Sequence, residues 1–154
     1  MSERVDIAVI GGTGLYAMPG INDRQTLRAE TPWGEPSGEI VIGSLHGKRV
    51  AFLPRHGPGH RLSPTEVPYR ANIYALKALG VRFIISVNAC GSLQDDFLPG
   101  EIVVPDQLVD HTRRRPAATF FESDLVAHIS VADPFCETLR GILIKAMKGA
   151  GATP

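Results

Sequence analysis

The sequence predicts an α/β fold with parallel strands in its sheet, and three observations carry that prediction. Val5-Asp6-Ile7-Ala8-Val9-Ile10 has the length and β-branched content of a strand buried on both faces, as in a parallel sheet. A strand over Lys48–Leu53, a helical stretch ending near Leu79 and a second apolar strand over Val81–Val87 stand in the order of a βαβ unit. Each of these strands ends in small, polar or basic residues, where open α/β sheets hold their ligands.

Composition narrows the class. The chain has 154 residues, enough for a single domain with a real core, and is 44% hydrophobic and 21% charged, which argues against disorder. Formal net charge is zero, so no global field recruits nucleic acid or an anionic membrane. Cys90 and Cys136 lie far apart with no Cys-x-x-Cys spacing, which excludes a disulfide framework and fits a reducing compartment. No apolar run is long enough to span a bilayer. Met1-Ser2-Glu3-Arg4 leads straight into the first strand and leaves no space for a signal peptide, so a cytoplasmic location is expected.

The first strand runs into Gly11-Gly12-Thr13-Gly14-Leu15-Tyr16. Three glycines and a threonine allow a sharp turn and close approach to a ligand, with N–H groups and a hydroxyl available to an anion. The spacing is neither Gly-x-Gly-x-x-Gly nor that of a P-loop, so dinucleotide and P-loop readings lose their support. A plain tight turn is the competing reading. Ala17-Met18-Pro19-Gly20 is a further turn, and Thr31 to Gly38 a Pro/Gly loop in which the only tryptophan, Trp33, is expected to anchor the loop. Glu39–Leu45 and Lys48–Leu53 read as strands joined by a tight His46-Gly47 hairpin turn, with His46 solvated.

Pro54-Arg55-His56-Gly57-Pro58-Gly59-His60-Arg61 interrupts everything regular. Its glycines and proline exclude a helix, so the two histidines cannot form a helical metal face, and no metal is expected. Two arginines and two histidines at a strand end suit phosphate, which guanidinium matches bidentately; a solvated basic loop is the alternative. Ser63-Pro64-Thr65-Glu66 reads as a capping box, with the regular helix starting near Pro68 and Tyr69, Ile73 and Leu76 on one face. Val81–Val87 reads as a fully buried strand ending in Asn88-Ala89-Cys90-Gly91-Ser92-Leu93. Cys90 is a small thiol without a neighbouring base in sequence, which weighs against a nucleophile.

Beyond a turn at Leu98-Pro99-Gly100, Glu101–Pro105 and Gln107–Val109 read as short strands or one strand broken by Pro105. Asp110 to Pro116 is a basic loop, solvated or inter-subunit rather than a nucleic-acid site, and Thr119 to Ser123 is irregular and aromatic. A last helix is expected from Pro134 to about Lys148, with Asp133 as N-cap and Leu139, Leu143 and Met147 on one face.

Ile10-Gly11-Gly12-Thr13-Gly14, Pro54-Arg55-His56-Gly57, Asn72 to Lys77 and Ala89-Cys90-Gly91-Ser92-Leu93 together resemble the trimeric purine nucleoside phosphorylase family. Pro99 to Val103 and Ala132-Asp133-Pro134-Phe135-Cys136 strengthen the likeness toward its methylthioadenosine phosphorylase branch. The matches keep their order over nearly the whole chain. The resemblance implies a nucleoside phosphorylase-like mixed central sheet flanked by helices, a homotrimer, small-molecule nucleoside and phosphate as partners, and no cofactor, inorganic phosphate being a co-substrate. It also implies that Thr13, Arg55, His56, Asn88 and Ala89 bind phosphate. Cys90, Gly91, His60 and His128 would meet the nucleoside, His60 near the sugar's 5′ substituent and His128 at a neighbouring subunit's site.

Such sites cleave an N-glycosidic bond by phosphate attack on a sugar of oxocarbenium character, work done by positioning and electrostatics. The purine leaves with a proton from a general acid. In the family that acid is an Asp in a C-terminal half, so the resemblance implies that residues 1–154 are the N-terminal portion of one such domain. An exposed apolar sheet edge and impaired activity are then expected. The branch carries Thr or Ser where this chain has Asn88, and the 6-oxopurine branch carries Asn, which leaves the base open. A non-catalytic fragment is the remaining alternative.

Overall fold

The computed structural model describes residues 4–12, 14–15, 18–112, 119–121 and 124–152. They fall into two compact units, one from the N-terminus to Ala89 plus Arg115–Phe120, the other comprising Cys90–Arg114 and Phe121 onward.

The first unit is a five-stranded mixed sheet in the order β2-β3-β4-β1-β5. The strands are β1 (Ile7–Gly11), β2 (Asn22–Leu27), β3 (Ile40–Leu45), β4 (Lys48–Pro54) and β5 (Phe83–Ser86), with helix α1 (Tyr69–Ala78) between the last two. β2, β3 and β4 are joined antiparallel, and β1 lies parallel to both β4 and β5. The expected strand–helix–strand unit is present, with β1 between its two strands.

Period-two alternation explains why the central strands read as continuous apolar runs. Ala8 and Ile10 of β1, Ile40 and Ile42 of β3 and Ala51 and Leu53 of β4 face one cluster, closed by Ala75 and Leu76 of α1. Ile7, Val9, Val41, Leu45, Val50 and Phe52 face the other way, around Ile21 and Met18. At the β3–β4 hairpin both His46 and Gly47 have positive φ, 47° and 74°, as a type I′ turn demands. His46 is exposed, as expected.

Several elements depart from the sequence reading. β2 has no counterpart there: Asn-Asp-Arg-Gln-Thr-Leu carries no alternation, and all six residues are exposed. It is an edge strand, kept polar and interrupted by a register shift between Asn22 and Gln25, devices that blunt an edge. β5 is shorter than Val81–Val87 and is not fully buried, because it forms the opposite edge and only one side of it is paired. Phe83 and Val87 are exposed there, the apolar edge that was anticipated.

Helix α1 starts after Pro68, near the expected place, but its buried face is Ala71, Asn72, Ala75 and Leu76. Ile73 and Tyr74 are exposed, so the Tyr69/Ile73/Leu76 stripe is not the one that packs. The capping-box contact exists on a separate turn ahead of the helix, where Ser63 N–H donates to the Glu66 carboxylate at 2.9 Å. Trp33 anchors its loop as expected, edge-on to Tyr74 at 5.2 Å and to Phe120 at 5.1 Å.

Among the described residues of the second unit the one regular element is α2 (Glu137–Gly149). Glu101–Pro105 and Gln107–Val109 form no strands: no described strand pairs with them, and Ile102, Val103, Leu108 and Val109 are exposed. α2 begins three residues later than expected, with Cys136 rather than Asp133 at its N-cap position and no side-chain cap. Leu139, Leu143 and Met147 do share its half-buried face. Gln107 donates to the Ala132 carbonyl at 2.8 Å, and Arg140 pairs with Glu137 at 3.0 Å and reaches Asp106 at 3.7 Å. Arg113 to Pro116 lie outside the described residues. No helix among the described residues is long and apolar enough to cross a membrane.

Candidate anion site at the carboxyl edge of the sheet

β4, β1 and β5 are parallel neighbours, so their carboxyl ends share one edge. Gly11 stands opposite Pro54, and Ile10 opposite Ser86. The ladder continues one rung beyond each pair: Arg55 N–H donates to the Gly11 carbonyl at 3.0 Å and Val87 N–H to the Ile10 carbonyl at 2.8 Å. Both loops therefore leave the sheet from fixed points. A Cβ at Gly11 would sit 2.3 Å from Leu15 Cδ1 and 3.3 Å from the Val87 carbonyl oxygen, so a side chain there would displace Leu15 and crowd the end of β5.

Over that edge the Arg55 guanidinium donates from Nη1 to Asn88 Oδ1. Asn88 Nδ2 in turn donates to Ser86 Oγ at 3.1 Å. Arg55 Nε is buried and has no hydrogen-bond partner among the described residues. A buried, partnerless donor on a cation is costly unless an acceptor comes to it.

His56 is 7% exposed, next to Arg55. Its Nδ1 lies 2.8 Å from the Leu62 carbonyl, which can only accept, so Nδ1 carries the proton and Nε2 is left for a ligand. Leu62 N–H closes the loop back onto the His56 carbonyl at 2.9 Å. The His60 ring stacks on His56 with centroids 4.3 Å apart and 23° between planes. That stack depends on a left-handed stretch, with φ of 73° at Gly57, 68° at Gly59 and 58° at His60.

A buried brace holds this loop from behind. Ser37 N–H donates to Asn72 Oδ1 at 2.8 Å, and Ser37 Oγ donates to the Pro54 carbonyl at 2.7 Å. Ser37 and Asn72 are both buried, so the Pro/Gly loop, α1 and the residue before Arg55 are tied together. Sequence reading assigned no role to Ser37, Asn72 or Ser86. The one available signal was an amide among Ala71, Ala75 and Leu76 on an apolar helix face.

The structure pairs Arg55 with Asn88 and His56 with His60, with Ala89 exposed after Asn88. Thr13 lies outside the described residues. Cys90, Gly91 and His128 belong to the second unit, where each is exposed and Cys90 is a free thiol. Glu66 has its carboxyl below the usual range, because the Ser63 hydroxyl and then its N–H donate to the charged form. Among the described residues no group of three His, Cys, Asp or Glu could hold a metal ion.

Residues 6–153 match the family described as the phosphorylase superfamily. The chain belongs to that superfamily. Among curated members of this phosphorylase superfamily it is 57% identical over 146 residues to the S-methyl-5'-thioadenosine phosphorylase of Chloroflexus aurantiacus, covering 95% of this chain and 51% of that one. Against the enzyme of the same name from Hyperthermus butylicus it is 53% identical over 150 residues, 97% of this chain and 54% of that one. A crystal structure of a methylthioadenosine phosphorylase from an antarctic soil metagenomic library superposes with a TM-score of 0.93 at 54% identity, covering 98% of this chain and 52% of that one. The Schistosoma mansoni methylthioadenosine phosphorylase in its apo form gives 0.89 at 41%, covering 96% of this chain and 54% of that one. The phosphorylase fold expected from the sequence is therefore present. The chain spans about half the length of the curated relatives it matches.

Proposed function

We propose that the chain forms the phosphate-binding, N-terminal part of a phosphorylase that converts 5′-methylthioadenosine and inorganic phosphate to adenine and 5-methylthioribose 1-phosphate. The observation that carries this reading is the buried Arg55 Nε, without a partner among the described residues, on the residue before His56, whose Nδ1 is engaged by the Leu62 carbonyl. Arginine donors, with an imidazole Nε2 that in this tautomer accepts the P–OH of a hydrogen phosphate, at the carboxyl edge of parallel strands suit a tetrahedral oxyanion. Relatives named as methylthioadenosine phosphorylases supply the substrate.

In this reading Arg55, His56, Asn88, Ala89 and Thr13 hold phosphate, and the anion waits near the anomeric carbon. Attack forms the C1′–O bond as the bond to the purine breaks. The anion's charge stabilises the oxocarbenium character between the two, with no covalent enzyme intermediate. His60, Cys90, Gly91 and His128 contact the nucleoside, His128 in the site of a neighbouring subunit of a homotrimer. The leaving purine takes its proton from a general acid in the portion of the relatives beyond the matched half. Phosphate is a co-substrate, and no cofactor enters.

A 6-oxopurine nucleoside is the second reading, favoured by the amide at Asn88. The test is release of free base by the 154-residue chain, with and without phosphate, from methylthioadenosine and from inosine. Equilibrium dialysis against labelled phosphate runs alongside. Phosphate binding is expected, with turnover far below that of a full-length relative and with methylthioadenosine preferred. Absence of phosphate binding overturns the site. Turnover matching the relative overturns the assignment of the acid to the other half, and preference for inosine overturns the substrate.

A further inference from the structure

We infer that Ser86 is a positioning residue, which sets the Asn88 amide so that Arg55 presents its free edge to the anion; this rests on the phosphate reading above. A guanidinium carries donors only, so an amide that meets it must turn its oxygen inward. Arg55 Nη1 does meet Asn88 Oδ1, which sends Nδ2 the other way, to Ser86 Oγ at 3.1 Å. Without an acceptor at position 86 the amide keeps only its bond from Arg55 and loses its anchor to the sheet, while its flipped form sets donors against donors.

The three residues differ in how they are held. Ser86 is the last residue of β5 and pairs with Ile10 in the ladder, so its hydroxyl is placed by the sheet. Asn88 is exposed and lies beyond the last ladder bond, which Val87 N–H makes to Ile10. Arg55 is fixed at its backbone by Gly11, on the other side of β1. Rigidity therefore passes from the strand through one amide to a long cationic side chain. With Nη1 engaged by Asn88, the edge formed by Nε–H and Nη2 remains, and its Nε is buried without a partner among the described residues. Preorganised donors bind an anion better than donors that must first be ordered.

Ser86 is exposed at a sheet edge, so Ser86→Ala should leave folding intact and Ser86→Thr should keep the acceptor on a residue suited to a strand. Phosphate affinity of the 154-residue chain is measured by equilibrium dialysis, and the Asn88 side-chain amide is followed by 1H–15N NMR. S86A is expected to weaken phosphate binding about two- to twelvefold, the change carried by one net hydrogen bond, and to shift the Asn88 amide signal. S86T is expected to behave as the unmodified chain. In an Asn88→Ala background S86A should cost nothing further, because Ser86 acts only through that amide. An S86A chain that binds normally with an unmoved amide overturns the inference while Arg55→Ala, if defective, keeps the phosphate site. An equal loss from S86A in both backgrounds also overturns it. An unmodified chain that binds no phosphate strikes down the phosphate reading first, and this inference with it.

Discussion

Asn72→Ala tests whether the loop that carries Arg55 and His56 is held from behind. Asn72 Oδ1 accepts the Ser37 N–H at 2.8 Å in a buried setting. The Ser37 hydroxyl has one proton, and the Pro54 carbonyl at 2.7 Å takes it ahead of Asn72 Oδ1 at 3.1 Å. Truncation at 72 therefore strands one backbone N–H in the core, at about 1–3 kcal/mol, and opens a small void beside it. A loss near 2 kcal/mol is about the middle of that range. The only tryptophan sits on the same loop, against Tyr74 of the same helix, so its fluorescence reports the affected contact. In urea, with a slope of about 1–3 kcal/mol per M, the midpoint should fall by about 1 M. Phosphate affinity should fall with it, since Pro54 precedes Arg55. An unchanged midpoint together with unchanged phosphate affinity refutes the brace.

Three further outcomes follow from the geometry. Leu76→Ala removes a fully buried side chain where α1 meets the sheet and should cost about 2–5 kcal/mol in the same unfolding assay. Gly57→Ala forces a side chain at φ 73° with its Cβ 2.8 Å from the Ser37 carbonyl oxygen, so both stability, by about 1–3 kcal/mol, and phosphate binding should suffer. Glu66 should titrate below an ordinary glutamate by NMR. Its pKa is lowered in the folded chain, so the turn's contribution is present above the unfolded value and is lost as pH falls through the folded one. Ser63→Ala should bring the midpoint part of the way up.

How much of this was readable from residues alone depends on where each signal lives. β1, β3 and β4 were found because both their faces are covered, which demands apolar residues at every position. β2 escaped because an exposed edge strand is held by its partner's backbone, and Asn22-Asp23-Arg24-Gln25 has no side-chain reason to be extended. β5 misled in the opposite direction, since an apolar run looks alike whether the neighbouring surface is in the described chain or not. The same ambiguity explains Glu101–Val109, where strand-like residues meet no described strand. On α1 the packed face was misjudged because small residues carried it. Ala71, Asn72 and Ala75 fit the close approach of helix to sheet, and bulk alone pointed to Ile73.

The site was legible as separate loop ends, and the register explains why they converge. Adjacent strands lie about 4.8 Å apart, so residues leaving β4 and β5 start about 10 Å from one another across β1. The Arg55 side chain spans that gap to reach Asn88. Sequence spacing of 33 residues between those two says nothing of their meeting. Parallel pairing of both flanking strands with β1 says it at once. The bracing residues were harder, because Ser37, Asn72 and Ser86 act through one or two hydrogen bonds to partners known only after the fold. A polar residue among small apolar ones on a helix face is the one trace they leave, and Asn72 left it.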